Sequence, residues 1–273
     1  MHPKLRYFVP MALPTNRTKP VVLAIAGYDP SSGAGITADI KTIAAQGCYG
    51  VTCITSLTVQ STRGVRGVEP VEGKVITEIL EELVTDVEIS AVKIGMLGTL
   101  EAARAVTGFL KRYSFRHVVL DTVLASSSGA SLLAKDAMPL LKDRLLGLAS
   151  VITPNAAEAA ALTGLKVETI EEMEAAARRL RQMGAHNVIV TGGQLDPPSD
   201  VIIAESARDS AILTGMKVVT RSTHGTGCAF STALACKLAQ GKNLLAAAKA
   251  AKSYVETALK NAPVLGRGVG PVV

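Results

Sequence analysis

The sequence predicts an α/β fold whose mostly parallel β-sheet is covered by helices on both faces, giving three layers. Short apolar runs of strand length alternate with segments in which apolar residues recur every three or four positions. The runs are almost continuously apolar, which is typical of parallel strands that are buried on both faces. Hydrophobic residues make up 48% of the 273-residue chain but aromatic residues only 3%, so aliphatic side chains and alanine must fill the core.

Each change of period marks a predicted element. The apolar runs predict strands at 21–26, 51–59, 91–97, 117–124, 150–153 and 187–191. The three-to-four spacing predicts helices around 36–47 and 75–83, and near 99–112, 134–147, 156–163 and 170–183. At 200–221 three short strand-like runs, joined by polar turns, predict an antiparallel edge. Two alanine-rich helices, near 227–240 and 243–261, end the predicted order.

Composition narrows the class of protein. The net charge of +6 is spread along the chain without a basic run, which disfavours nucleic-acid binding but is compatible with an anionic small molecule. No stretch approaches the roughly 20 apolar residues that span a membrane, and the four cysteines lack the spacing of a zinc site. We therefore expect a cytoplasmic protein that binds neither nucleic acid nor membrane, with a flexible tail at 1–19 and one domain at 20–273.

A glycine-rich loop, DPSSGAG at 29–35, joins the first predicted strand to the first predicted helix. It imitates a dinucleotide-binding fingerprint, but no acidic residue follows about 20 positions later to bind a ribose. The loop either lets a ligand approach the backbone at a helix N-terminus or is only a tight connection. The residues of the loop leave both interpretations open.

Asn155 and Glu158, at the end of a predicted strand, can act as caps or as ligands. Asn155 opens a helix and Glu158 follows three positions later, which is the spacing of a capping box. Alternatively, their oxygens hold Mg²⁺ through its waters at the carboxyl end of the strand. Thr169 and Glu172 repeat the spacing with no strand beside them, so we expect that second pair to act as a cap only.

The segment STHGTGC at 222–228 predicts an anion-binding turn at the start of a helix of small residues. Gly225 and Gly227 free the backbone to aim several N–H groups at one position, where the helix N-terminus adds a partial positive charge. Such a turn would stabilise a phosphoryl group during transfer, while a base at its end takes the proton of the acceptor hydroxyl. Cys228 occupies that end.

We expect the thiol of Cys228 to have a pKa below its free value of about 8.5, because a helix N-terminus favours the thiolate. The alternative is a small packing residue, which is the expected role of the other cysteines at 48, 53 and 236. His224 has no partner in sequence and stays outside the predicted catalytic set. A cysteine hydrolase would need a histidine and a carboxylate at a recognisable spacing from the cysteine, and the sequence shows no such spacing.

From residue 21 onward the chain resembles the hydroxymethylpyrimidine and phosphomethylpyrimidine kinases of thiamine synthesis. The blocks that carry the resemblance are, in order, AGYDPSSGAGITADIKT, SLTVQSTRGV, KIGMLGT, VVLDTV, ITPNAAEAA, STHGTGCAFS and GRGVGPV. These kinases belong to the ribokinase-like superfamily, which also includes pyridoxal kinases. The resemblance implies a ribokinase-like domain with a sheet of about eight strands, a homodimer, and ATP and Mg²⁺ as cofactors.

The resemblance also implies roles for individual residues. Gln60 would hydrogen-bond the pyrimidine ring, and Cys228 would be the catalytic base. The anion hole would consist of Gly225, Thr226 and Gly227. The substrate pocket would also involve Ala34, Asp39, Met96 and Val123. The nucleotide and phosphate region would involve Asp121, Asn155, Glu158, Thr191 and Gly193, with Asn155 and Glu158 holding Mg²⁺ through water.

The implied reaction is transfer of the γ-phosphoryl group of ATP to the hydroxymethyl oxygen of 4-amino-5-hydroxymethyl-2-methylpyrimidine, and then to the resulting monophosphate. The chain departs from the family pattern in three places. Tyr28 stands where a small residue is usual, Ser127 where a lysine is usual, and the residues TGGQ at 191–194 replace Lys-Gly-Gly-His. Two alternatives stay open, namely a pyridoxal or pyridoxine kinase and a pyrimidine-binding protein that has lost phosphorylation.

Overall fold

The computed structural model describes residues 19–126, 129–206 and 209–273, and the predicted tail at 1–19 therefore lies almost wholly outside the described residues. The strands are β1 Val21–Tyr28, β2 Tyr49–Ser61, β3 Gly64–Pro70, β4 Ala91–Ile94, β5 Val118–Leu120, β6 Val151–Ile152, β7 Val188–Val190, β8 Ser199–Ile203 and β9 Ala211–Thr214. They form one sheet in the order β3-β2-β1-β4-β5-β6-β7-β8-β9. The strands from β2 to β7 in this order are parallel, and the predicted mostly parallel sheet is confirmed.

Both edges of the sheet are antiparallel. The edge predicted near 200–221 is confirmed, since β8 pairs antiparallel with β7 and β9 with β8. The third strand predicted there, at 216–223, is wrong: its backbone turns toward the C-terminal segment, where Gly270 N–H donates to Arg221 O at 3.1 Å. At the opposite edge β3 pairs antiparallel with β2 and was not predicted. The described sheet therefore has nine strands rather than about eight.

Helices cover both faces of the sheet, as predicted. They are α1 Gly35–Ala45, α2 Gly73–Asp86, α3 Leu100–Arg112, α4 Met138–Leu140, α5 Leu146–Leu148, α6 Ala156–Thr163, α7 Ile170–Gln182, α8 Thr226–Ala239 and α9 Leu244–Asn261. A π-helical turn, Leu141–Leu145, joins α4 to α5. In β1 the side chains of Leu23 and Ile25 join the core under α2, α3, α6 and α7, whereas Val22 and Ala24 join the core under α1, α8 and α9. No helix in the described ranges is long and apolar enough to cross a membrane.

Both predicted caps are present. Asn155 Oδ1 accepts from Glu158 N–H at 2.9 Å, and Glu158 Oε2 accepts from Asn155 N–H at 3.0 Å. Thr169 and Glu172 make the same reciprocal pair at the start of α7. The capping interpretation is therefore confirmed for both pairs. A ligand role for the first pair, in addition to capping, stays a prediction. Asn155 follows β6 and therefore lies at the edge of the sheet where the parallel strands end.

The parallel strands bring several polar segments to one edge of the sheet. Asp29 follows β1, Asp121 follows β5 and Asn155 follows β6. Because the carboxyl ends of parallel strands lie at the same edge, these residues become neighbours although they are far apart in sequence. Helix α8 packs on β1, β4 and β5, so its first turn reaches the same edge.

Candidate active site

The carboxylate of Asp29 organises the glycine-rich loop. Its Oδ1 accepts from the backbone N–H and the hydroxyl of Ser31 at 2.8 and 2.7 Å. Its Oδ2 accepts from the N–H groups of Gly33 and Ala34 at 3.3 and 2.9 Å. Burial acts to raise the pKa of Asp29, but hydrogen bonds from His224 and Ser31 outweigh it and lower this pKa below its ordinary value. The loop is therefore folded around a fixed negative charge.

His224, which was left outside the predicted catalytic set, connects this loop to the anion-binding turn. Its Nε2 lies 2.7 Å from Oδ2 of Asp29 and 3.0 Å from Nε2 of Gln60. Gln60 also accepts a hydrogen bond from the hydroxyl of Thr58 at 3.1 Å. The residue predicted to contact the pyrimidine ring thus lies beside His224, and its amide oxygen is held by the Thr58 hydroxyl. Asp29 and His224 could not be paired from sequence, because they are 195 positions apart.

The two loops meet backbone to backbone. A Cβ atom on Gly225 would lie 1.8 Å from the carbonyl oxygen of Gly33, and Gly225 has a φ of +84°. A Cβ atom on Gly33 would lie 2.2 Å from Cδ2 of His224. The C-terminal segment supports the contact, since His224 N–H donates to Gly270 O and Val272 N–H donates to His224 O, both at 3.0 Å. Only glycine fits at either contact.

The predicted anion-binding turn forms the start of α8. Gly225 is the N-cap of α8, and no side chain caps this helix. The first intrahelical hydrogen bond runs from Ala229 N–H to Gly225 O, so the N–H groups of Gly227 and Cys228 precede the helical ladder. A Cβ atom on Gly227 would meet nothing within 4 Å. The first turn of α8 therefore has two backbone donors outside the helical ladder, and Gly227 itself is exposed.

Cys228 is partly exposed at this turn, but its sulfur faces buried charges. Burial raises the pKa of the Cys228 thiol to about 12. The positive charge of Lys93 and a hydrogen bond from Gly35 N–H oppose this rise, whereas the negative charges of Asp121 and Asp39 add to it. The predicted lowering of this pKa by the helix N-terminus is therefore wrong, and the thiol rests protonated near neutral pH. The other three cysteines are buried, as expected of packing residues.

Asp121 is a buried carboxylate whose charge acts on the Cys228 thiol. It follows β5, is 6% exposed, and accepts from the hydroxyl of Ser231 at 3.0 Å through Oδ2. Burial raises the pKa of Asp121 above its ordinary value, although the Lys93 ammonium and the hydrogen bond from Ser231 act to lower it. The site thus contains a thiol above a carboxylate whose affinity for a proton is increased.

Asp39 lies below the site and not in a ligand pocket. Its side chain is fully buried, and both carboxylate oxygens lie 2.9 Å from Nζ of Lys93. The hydroxyl of Thr232 donates to Oδ1 at 2.6 Å. Contact with a ligand would require Asp39 to leave this buried ion pair, and the substrate contact predicted for Asp39 stays a prediction. Lys93 was missed, although a lone lysine in the apolar run AVKI was a readable signal.

The remaining predicted pocket residues lie close to these groups along the sheet edge. Ala34 is in the loop bound by Asp29, and Val123 N–H donates to Asp121 O at 2.9 Å. Met96, just after β4, is 8% exposed, and its sulfur would lie 2.9 Å from a Cβ atom on Gly27. These positions are compatible with a pocket wall. Ser127, one of the departures from the family pattern, lies outside the described residues.

Glu158 marks the region predicted for nucleotide and metal. Its carboxylate accepts from Asn155 N–H, from the Thr122 hydroxyl at 3.2 Å and from Leu124 N–H at 3.4 Å. Burial, followed by the charge of Asp121, raises the pKa of Glu158 to about 8. Thr191 lies beside this group, since its N–H donates to Pro154 O at 2.9 Å.

Gly193 follows on the same loop as Thr191, where a Cβ atom would meet nothing within 4 Å. The structure therefore brings Asp121, Asn155, Glu158 and Thr191 together at one edge of the sheet and leaves the backbone at Gly193 accessible. Their binding of a nucleotide stays a prediction.

Comparison with known proteins identifies relatives along nearly the whole chain. The family model of phosphomethylpyrimidine kinase matches residues 29–273. The chain is 42% identical over 253 residues to the hydroxymethylpyrimidine/phosphomethylpyrimidine kinase of Escherichia coli, covering 92% of this chain and 95% of that one. It is 41% identical over 266 residues to the thiamine biosynthesis bifunctional protein ThiED of Geobacter sulfurreducens, covering 96% of this chain but only 54% of that protein.

The fold is also similar to that of a solved pyridoxal kinase. The structure of the Staphylococcus aureus enzyme in complex with AMP-PCP and pyridoxal has a TM-score of 0.82 and 31% sequence identity, covering 93% of this chain and 92% of that one. The fold is therefore shared with a kinase whose solved complex contains an ATP analogue.

A glycine substitution tests the contact between the two loops. We expect Gly225→Ala to lower the free energy of unfolding by about 1–3 kcal/mol or more, because the new Cβ atom combines a positive φ with a backbone clash. Gly227→Ala is the matched control two residues away. It should change the unfolding free energy by less than about 0.5 kcal/mol, because its Cβ atom meets open space. Urea unfolding of both variants measures the difference, and equal stabilities would contradict the contact.

The raised pKa of Glu158 predicts a pH dependence of stability. In the folded protein this carboxyl keeps its proton up to about pH 8, whereas its ordinary pKa is 4.5. Its stabilising contribution is therefore full below pH 4.5 and is lost as pH rises through 8. Glu158→Gln keeps a capping side chain without this titration.

We expect the melting temperature of Glu158→Gln, measured without magnesium, to rise relative to the wild type between pH 5 and 8. Differential scanning calorimetry across this range makes the comparison. Parallel curves for the two proteins would show that Glu158 does not titrate as its burial implies.

Proposed function

The chain belongs to the phosphomethylpyrimidine kinase family, and on this premise we propose that it transfers the γ-phosphoryl group of ATP to 4-amino-5-hydroxymethyl-2-methylpyrimidine and then to the monophosphate. The observation that carries the proposal is the position of Cys228 in the first turn of α8, above the buried carboxylate of Asp121, which accepts from Ser231 of the same helix. Cys228 and Asp121 supply a proton acceptor beside a group of backbone N–H donors. Both are needed when a hydroxyl attacks a phosphate.

Proton transfer proceeds through the pair as a relay. A thiol with a pKa of about 12 is a weak resting base near neutral pH. As the substrate hydroxyl attacks the γ-phosphorus, its proton passes to the sulfur of Cys228, and the thiol proton of Cys228 passes to Asp121. A P–O bond forms to the substrate, the bond to the β-phosphate breaks, and ADP leaves. The raised pKa of Asp121 favours this acceptance.

The residues present fit magnesium held through water. The carboxylate of Glu158 is engaged by its helix cap, so direct coordination would break the capping box. In the described ranges no group of three or more His, Cys, Asp or Glu side chains could enclose a metal ion. Asn155 and Glu158 would instead bind the waters that Mg²⁺ retains. When bound, the ion would neutralise charge on the phosphates of ATP.

A pyridoxal kinase is the second candidate, because the solved pyridoxal kinase complex shares the fold at 31% identity. The two candidates differ in the ring that Gln60 and its partner His224 would face. A cytoplasmic protein with residues 20–273 as one domain is part of the same proposal, as is a homodimer, which rests on the family resemblance alone.

A coupled assay of ADP release with both rings separates the two candidates. We expect kcat/KM for the hydroxymethylpyrimidine to exceed that for pyridoxal, and ADP release to continue with the pyrimidine monophosphate as substrate. Faster turnover of pyridoxal would overturn the pyrimidine assignment. Tight pyrimidine binding by calorimetry with no turnover of either ring would favour a binding protein.

Substitution of the relay residues tests the mechanism. We expect Cys228→Ala to lower kcat on the order of 100-fold or more, as for loss of a general base, with the melting temperature nearly unchanged. Asp121→Asn should also lower kcat, because the second proton acceptor is lost. Cys236→Ala is the control on the same helix and should reduce stability through packing while kcat is kept. An unaltered kcat in Cys228→Ala would eliminate the relay.

A further inference from the structure

Lys93 is a fully buried cation next to the relay, and neither the fold nor the proton transfer described above accounts for it. Its side chain is 0% exposed, and the charge of Asp39 raises its pKa further above the ordinary value although burial alone would lower it. Asp39 is equally buried and is fixed by the hydroxyl of Thr232. Replacing a buried ion pair by apolar residues is often neutral for stability or even stabilising. Stability alone therefore does not explain this lysine.

The elements around Lys93 aim it at the relay. Lys93 is in register with Val119 on the neighbouring strand, and Asp121 lies two residues beyond Val119. Side chains two residues apart share a face of the sheet, which here is the face covered by α8. The register therefore places Lys93 and Asp121 on the same side of the sheet, under the same helix.

Helix α8 adds three side chains one turn apart. Ser231 donates to Asp121 and Thr232 donates to Asp39, and Cys228 lies three residues before Ser231. Positions separated by three or four residues lie on one helix face. The titratable and charged groups that face Cys228 are thus Lys93 from β4, Asp39 from α1 and Asp121 from the end of β5.

The space around the ammonium group is restricted. A Cβ atom on Gly95 would lie 2.9 Å from Nζ of Lys93 and 3.1 Å from Cβ of Ala26. Nζ has a fixed position because Asp39 binds it on one side and the backbone of Gly95 lies close to it on another. A fixed charge in a region of low dielectric acts strongly on neighbouring protonation equilibria.

We propose that Lys93, held in place by Asp39, is a positioning residue that keeps Asp121 ionised as the proton acceptor of Cys228 and stabilises negative charge on the sulfur as the proton moves. The inference rests on the proposed function, since it assigns a role within that reaction. Without the cation, Asp121 takes a proton from solvent and the relay has no acceptor. Asp39 moderates the effect, because its negative charge partly cancels the field of Lys93.

Two matched comparisons isolate the charge of Lys93. The first comparison is between Asp39→Asn and the double variant that carries both Asp39→Asn and Lys93→Met. The second comparison is between the wild type and Lys93→Met. Each pair differs only in the cation, at a constant residue 39. The readout is the rate at which iodoacetamide alkylates Cys228 between pH 6 and 10, followed by mass spectrometry of its peptide. Iodoacetamide reacts with the thiolate, so the rate follows the pKa of this thiol.

We expect Asp39→Asn to raise the alkylation rate of Cys228 at pH 8 about tenfold or more, since loss of a neighbouring negative charge lowers the pKa of the thiol by about one unit or more. Addition of Lys93→Met should reverse this gain. In the wild-type pair, Lys93→Met should slow alkylation and move the acid limb of kcat to higher pH. A role in packing alone would change the melting temperature without moving either pH profile.

Equal pH profiles in both members of each pair would overturn the proposal. If the Asp39→Asn variants do not fold, the comparison of the wild type with Lys93→Met decides alone. Alkylation is measured without substrate, so its outcome is independent of which ring is phosphorylated. The ADP-release assay on the wild type tests the proposed function separately, and the failure of one can be distinguished from the failure of the other.

Discussion

Charged groups are buried beneath the first turn of α8, and this constraint determines how the site can work. Lys93 and Asp39 are fully buried, and Asp121 is nearly so. A helix N-terminus alone would favour a thiolate at Cys228, but the desolvated setting and two carboxylates favour the thiol. The sulfur therefore cannot act as a preformed base, and the proton needs an acceptor behind it. Asp121, which is buried beneath the same turn and accepts from Ser231 of α8, fills that role in the proposed reaction.

The same turn is held in place from above by the glycine-rich loop. Asp29 binds the N–H groups of its own loop and the ring of His224, and Gly225 contacts the backbone of Gly33. Helices α1 and α8 thus begin at one junction, over the carboxyl ends of the strands. Because this junction forms only where two backbones can touch, the position of the first turn of α8 follows from two glycines rather than from side-chain packing.

Local patterns in the sequence predict the fold class and the helix caps, but they do not predict which residues far apart in sequence contact each other. Buried parallel strands are almost continuously apolar, so the sequence predicts their positions along the chain. Each capping box lies within four residues and is therefore also a local pattern. Strand β3 was missed because its sequence, GVRGVEP, contains two glycines and a proline, which are rare in strands. Lys93 and Asp39 are 54 positions apart. The rise in the pKa of Cys228 comes from such distant neighbours, which a local pattern does not contain.

Infrared spectroscopy of the S–H stretch of Cys228 tests most directly whether this residue rests as a thiol on Asp121. The difference between the spectra of the wild type and Cys228→Ala isolates the band of this one thiol from those of the three other cysteines. The account predicts that the band is present at pH 7, persists until strongly alkaline pH, and shifts in Asp121→Asn because the neighbouring negative charge is lost. Absence of the band at pH 7 would show a resting thiolate and contradict the relay.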